Sequence, residues 1–201
     1  MVSSQLKNQL KKRWRASGAA ESLKRRRLRR LDSLVGAGLT SSGSRVVEVG
    51  CSDGQDYIRF ASELGVVITG VDVREVELPY PNATVVKANA TELPFDDNYF
   101  DVALSIGVLE HIQPIEDLAK AAREISRVAR SFVVVVPSIS TVLEPHVGQF
   151  YYPLRAHKKK RVPKWGLNYF SDEAWLQFSG FQGANIERLN YFPPLISNTI
   201  I

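Results

Sequence analysis

The chain has 201 residues, of which 44% are hydrophobic and 23% charged, and a formal net charge of +5. That length suits one sizeable core, and the ordinary composition excludes wholesale disorder and a collagen-like chain. The single cysteine, Cys51, excludes an intramolecular disulfide and a cysteine-rich zinc site.

The charge is concentrated at one end. Residues 1–30 carry eleven Lys or Arg against one acid, Glu21, whereas the remaining 171 residues carry fifteen bases against twenty acids. A basic arm therefore precedes an acidic body, and the arm invites an anionic membrane surface or a nucleic acid as partner. The longest apolar run, Phe132–Pro137, is far short of the ~20 residues that span a bilayer. The N-terminus lacks the apolar stretch of a secretory signal. A cytoplasmic location is expected, with peripheral attachment to a membrane as the alternative.

In chain order, Leu6, Leu10 and Trp14 form one apolar stripe on a basic helix over 5–15. A second basic helix follows from Glu21, with Leu23, Leu28, Leu31 and Leu34 on roughly one face, and Gly36 and Gly38 stop it. From Arg45 the pattern changes. Strands are predicted at Arg45–Val49, Val66–Asp72, Ala83–Lys87, Phe100–Ile106 and Ser131–Val136. Helices are predicted at Asp53–Leu64 and Pro114–Val128, the latter with Ile115, Leu118, Ala122, Ile125 and Val128 on its apolar face. Residues 138–170 are rich in aromatics and bases and read as an insertion that shapes a pocket or forms a satellite core. Ser171 caps a helix running to about Ser179–Gly180, and Ala184–Tyr191 is the last clear strand. Strands alternating with helices predict an α/β fold, a Rossmann-like three-layer sandwich with a mostly parallel central sheet and an N-terminal helical extension. The division is 1–40 for the basic extension and 41–201 for the body, with its insertion at about 138–170.

The strongest motif is Val46-Val47-Glu48-Val49-Gly50-Cys51-Ser52-Asp53-Gly54, a buried strand running into a tight turn of small residues and then a helix. Such a turn lets a ligand approach the backbone. The Gly-x-Ser-x-Gly spacing alone also fits a hydrolase elbow on Ser52, but Glu48 before the turn fits that poorly. About twenty residues on, Asp72 ends the second strand, where an acid can accept hydrogen bonds from a ribose diol. Ala88-Asn89-Ala90-Thr91-Glu92-Leu93-Pro94-Phe95 and Val108-Leu109-Glu110-His111-Ile112 follow in order.

Over residues 45–137 these four motifs resemble the class I S-adenosylmethionine-dependent methyltransferases, in the subgroup that includes quinone-biosynthesis and other small-molecule enzymes. Dehydrogenases differ in their Gly-x-Gly-x-x-Gly turn and lack the Leu-Pro-Phe and Leu-Glu-His stretches. The resemblance implies S-adenosylmethionine as cofactor and methyl transfer to a small-molecule acceptor, at oxygen or carbon. It implies that Glu48, Gly50, Ser52 and Gly54 surround the amino-acid end of the cofactor. Asp72 would hold the ribose, Val73 would flank the adenine, Asn89 and Ala90 would meet the adenine edge, and Ser105 would lie near the methionine portion. Ser52 stands where the family most often has Gly, and the expectation is a turn kept with negative φ. Asn89 stands where Asp is common.

The candidate bases are His111, after the fourth strand, and His146, in the insertion. Tyr151, Tyr152 and Trp165 are the candidate acceptor-shaping residues. The arm, residues 7–30, is expected to fold as a helical cap over the cofactor site, with an RNA or lipid acceptor as the alternative. A non-catalytic S-adenosylmethionine-binding regulator is the non-enzyme alternative. The family fold ends in an antiparallel hairpin, and the sequence after Tyr191 leaves that hairpin reduced or absent.

Overall fold

The structure is a computed structural model, which describes residues 18, 21–22, 25–26, 28–30, 43–54, 57–144, 149–150, 167–191 and 196–201. The body opens with β1 (Val46–Val49), α1 (Tyr57–Glu63), β2 (Ile68–Asp72), β3 (Ala83–Lys87) and β4 (Phe100–Ile106). A single 3₁₀ turn, Leu109–His111, leads to α2 (Ile115–Val128) and β5 (Ala129–Pro137). A two-stranded hairpin follows, β6 (Leu143–Glu144) with β7 (Gln149–Phe150), and then a short α3 (Asp172–Trp175), β8 (Glu187–Tyr191) and β9 (Ile196–Ile200).

One seven-stranded sheet has the order β3-β2-β1-β4-β5-β9-β8. The first five strands are parallel, and β9 runs antiparallel to both β5 and β8. The order reverses at β1, so the crevice beyond the C-terminal ends of β1 and β4 is the natural ligand site of such a sheet.

β1 is buried along its whole length, and β4 and β5 carry runs of five buried residues each. That is the reason for their continuous apolar sequences: helices cover both faces. On one face α2 presents Leu118, Ala121, Ala122, Ile125 and Val128 to a core shared with Trp175 and Phe181. Ile115, expected on that apolar face, is instead 48% exposed, because it begins the first turn of α2 ahead of the buried stripe. Gly180 packs so tightly on α2 that a Cβ there would overlap the Ala122 carbonyl.

On the other face α1 contributes Tyr57, Ile58, Phe60 and Ala61. Leu28 of the basic arm, 2% exposed, joins that same cluster. Residues 18, 21–22, 25–26 and 28–30 are helical. Arg25 pairs with Glu63 at 2.6 Å, and Arg30 pairs with Glu187 at 2.9 Å. The described part of the arm thus packs against α1 and reaches β8. The rest of the arm, including the stripe at Leu6, Leu10 and Trp14, lies outside the described residues.

The C-terminal hairpin is present, which corrects the expectation of a reduced one. Residues 196–200 complete the sheet as β9, inserted between β5 and β8, and Ile200 and Ile201 are buried. Its Ile-Ser-Asn-Thr-Ile sequence is too short and too polar to announce a strand by itself. Tertiary bonds hold it: Thr199 Oγ1 donates to Asp172 Oδ1 at 2.8 Å, and Arg188 Nη2 donates to Asp172 Oδ2 at 2.7 Å. Ser171 caps α3, its Oγ accepting from the Ala174 N–H at 3.2 Å. The helix is shorter than predicted, ending at Trp175.

Candidate active site

The turn after β1 is shaped by backbone geometry. Gly50 has φ +80°, and a Cβ there would overlap the side chain of Val108. The Gly50 and Cys51 N–H groups both donate to the Val71 carbonyl, at 2.7 and 3.0 Å, which ties the turn to the end of β2. Ser52 has φ +50°, so the expected negative φ is corrected: the residue occupies the left-handed region that costs a non-glycine about 1–2 kcal/mol. Asp72 compensates, its Oδ2 accepting from the Ser52 N–H at 2.9 Å.

Asp72 ends β2, 7% exposed. Arg74 folds back on it, donating from its own N–H and from Nε to Oδ1, at 3.0 and 2.9 Å, and from Nη2 to Oδ2 at 3.2 Å. Burial pushes the Asp72 carboxyl up, but the Arg74 guanidinium and the N–H groups of Arg74 and Ser52 outweigh it and hold the acid below its ordinary range. It is therefore a carboxylate, with each oxygen aimed along the turn. Cys51 takes the opposite course. Burial first, then the charges of Glu48 and Asp72, push its thiol up to about 12, so it is a packed, unreactive residue.

A cleft of about 320 Å³ opens at the C-terminal ends of β1, β2 and β4. That is within the ~300–1,000 Å³ range of small-molecule sites. Gly50, Ser52, Asp72, Val73, Asn89, Ala90 and His111 line it, which brings together seven residues that the sequence singled out. Val73 is 60% exposed, an apolar surface beside the carboxylate. Asn89 Oδ1 accepts from the Thr91 N–H at 3.1 Å, fixing the amide at the rim. His111 sits exposed in the 3₁₀ turn after β4.

Three expected residues do not line the cleft. Glu48 is buried and its carboxylate accepts from the N–H groups of Ile58 at 3.0 Å and Tyr57 at 3.5 Å. It holds the start of α1, where a negative charge is favoured by unpaired N–H groups and the helix dipole. Gly54 (φ +67°) packs under Leu78 and Tyr80. Ser105 is buried at the end of β4, and its hydroxyl has no hydrogen-bond partner among the described residues. His146, Tyr151, Tyr152 and Trp165 lie outside the described residues. Of the aromatics in the insertion, Tyr169 is buried and Phe170 packs edge-on to Trp175, so these two belong to the core.

The sequence reading missed Arg74, and gave no role to Val108 and Ile112 at the ends of their motif; all three also line the cleft. Arg74 had one signal, its position two residues beyond the acid. A larger hollow of about 670 Å³ lies at the opposite, N-terminal ends of β1, β2 and β4, between Arg45, Leu64, Val67 and Tyr99. It contains none of the candidate cofactor-binding or catalytic residues, which favours the smaller cleft as the site. There a carboxylate, an apolar rim, a fixed amide and close backbone approach can hold a ligand that combines a diol with a flat ring.

Residues 47–135 match the methyltransferase domain family. The chain is 36% identical over 113 residues to an O-methyltransferase of Aspergillus sclerotiorum, covering 50% of this chain and 42% of that protein. It is 30% identical over 122 residues to the 27-O-demethylrifamycin SV methyltransferase of Amycolatopsis mediterranei, covering 53% and 45%. The chain spans a little under half the length of these curated relatives. Its fold is similar to that of the 1,6-didemethyltoxoflavin-N1-methyltransferase of Burkholderia thailandensis, solved with bound 1,6-didemethyltoxoflavin and S-adenosylhomocysteine. That likeness has a TM-score of 0.58 at 18% identity and covers 86% of this chain and 75% of that one.

Proposed function

We propose that this chain, whose residues 47–135 form a class I S-adenosylmethionine-dependent methyltransferase domain, transfers a methyl group to an oxygen of a small-molecule acceptor. The observation that carries the reading is the single cleft in which Gly50, Ser52, Asp72, Val73, Asn89, Ala90 and His111 meet. The named O-methyltransferase relatives support oxygen as the accepting atom. When bound, S-adenosylmethionine supplies an already activated methyl group, so the protein's work is placement and the handling of a proton.

The residues fit that cofactor. The Asp72 carboxylate would accept the two ribose hydroxyls once Arg74 moves aside. Val73 and Ile112 would flank the adenine, with Asn89 and Ala90 at its edge. The close approach of the Gly50 backbone to Val108 would leave the small-residue turn as the floor for the amino-acid end. His111, at the mouth, would take the proton of an acceptor hydroxyl, the task for which a neutral imidazole is suited near neutral pH.

The arm supports this reading better than a nucleic-acid one, because Arg25 and Arg30 are engaged with Glu63 and Glu187 of the body. The test is transfer of labelled methyl from S-adenosylmethionine to a panel of phenols, enols and alcohols, with His111→Ala alongside. Label in an acceptor, lost in the variant, supports the proposal. Tight cofactor binding with no transfer to any acceptor would replace it with a non-catalytic binding role.

A further inference from the structure

We propose that Asn168 is a positioning residue that holds His111 at the mouth of the cleft, an inference that rests on the methyl-transfer reading above. The turn carrying His111 is short. It is three residues long, follows Gly107 at φ +70°, and has no side-chain cap at Val108. Its backbone bonds include one from the His111 N–H to the Val108 carbonyl at 2.9 Å and one from the Ile112 N–H to the Leu109 carbonyl at 3.2 Å. So short a turn leaves carbonyls that need partners from elsewhere.

Asn168 supplies them from more than fifty residues away. Its Nδ2 donates to the carbonyls of Ile112 at 2.7 Å and Leu109 at 3.3 Å. Its backbone N–H donates to the Glu110 carbonyl at 2.6 Å, and its Oδ1 accepts from Gln113 Nε2 at 2.6 Å. These four bonds fall on both sides of His111, which lines the cleft. Only a side-chain amide both donates twice and accepts within this reach. The clamp has a rigid base: Leu167 and Tyr169, on either side, are buried, as is Asn168 itself.

Asn168→Asp keeps the shape, the backbone bond and the bond from Gln113, but sets a carboxylate oxygen against two carbonyls. The ring signal of His111 is identified by its loss in His111→Gln. Expected in Asn168→Asp are at least tenfold faster hydrogen exchange at the His111 and Ile112 amides and a ring shift on adding S-adenosylhomocysteine below one third of the wild-type shift. Affinity for S-adenosylhomocysteine stays within threefold, and the denaturation midpoint stays close to wild type. A wild-type ring shift and exchange in the variant overturns the proposal, as does a loss of both in step with global stability. Where the variant does not fold, exposed Gln113→Ala removes the Oδ1 partner and leaves the Asn168 Nδ2 donor in place. A roughly threefold rise in the same exchange rates supports the clamp, and unchanged rates refute it. A wild-type chain that binds no S-adenosylhomocysteine refutes the cofactor reading instead, and the exchange rates still decide the clamp.

Discussion

Arg74 grips both carboxylate oxygens of Asp72, and its Nη2 also lies 3.0 Å from Ser52 Oγ, so one guanidinium closes the bridge between the turn after β1 and the end of β2. The relationship places a competitor on the acid proposed to hold the ribose. Asp72 already accepts at both oxygens, and a diol must displace the guanidinium to bind there.

Arg74→Ala should therefore tighten binding of S-adenosylhomocysteine by roughly two- to fivefold, the size of effect an exposed ion pair has. Titration calorimetry at fixed ionic strength reads it directly. Weaker binding in the variant would mean that Arg74 serves the ligand and does not compete with it.

Ser52 sits at φ +50° where glycine would be at ease. Relief of the left-handed strain outweighs the extra freedom glycine brings to the unfolded chain, and Ser52→Gly should stabilise by about 0.5–1 kcal/mol. Urea denaturation is the check, and a destabilised variant would show that the hydroxyl's contact with Arg74 matters more than the strain.

Arg127 fastens the loop that precedes β4. Its guanidinium donates to the carbonyls of Phe95 at 2.7 Å and Leu93 at 3.0 Å, and pairs with Glu124 and Asp97 at 2.7 and 2.8 Å. Glu124 in turn accepts from the Leu93 N–H at 2.7 Å. Arg127→Ala should cost about 2–3 kcal/mol, since it strands charged and carbonyl partners together. It should also weaken S-adenosylhomocysteine binding, because the same loop begins at Asn89 and Ala90. Arg127→Lys should recover only part of the loss, as an ammonium cannot fork between four acceptors. A variant as stable as the wild type would show the network to be idle.

Both Asp72 and Glu124 are held below their ordinary ranges. For Asp72 burial opposes this and the bonds from Arg74 and Ser52 prevail. For Glu124 the leading cause is Arg127. Folding therefore favours their ionised forms. Their contribution is complete above the ordinary values of about 4 and is lost as pH falls through the lower folded-state values. Asp72→Asn and Glu124→Gln should each make the acid loss of stability shallower below about pH 4. Loss parallel to the wild type would contradict the assignment.

The readable parts of this chain were those in which sequence and burial coincide. β1, β4 and β5 are buried on both faces and appear as unbroken apolar runs, and the turn after β1 shows its small residues openly. β9 escaped because two isoleucines around Ser-Asn-Thr carry no pattern, and its place in the sheet comes from β5, β8 and Asp172. Arg127 reads as the polar face of α2, and Asn168 as a polar break between Leu167 and Tyr169. Their work depends on partners about thirty and more than fifty residues away, which no local spacing displays. Glu48 was legible as a motif residue, but its bonds to the start of α1 were not.

The central claim is that Asp72 anchors the adenosyl cofactor in the cleft beyond β1 and β2. Calorimetric titration of S-adenosylhomocysteine into the wild-type chain and into Asp72→Ala tests it most directly. The expected result is one site per chain in the wild type, weakened in the variant by about 1–3 kcal/mol, the cost of losing charge-assisted hydrogen bonds. Equal affinity in a variant that remains folded would contradict the account.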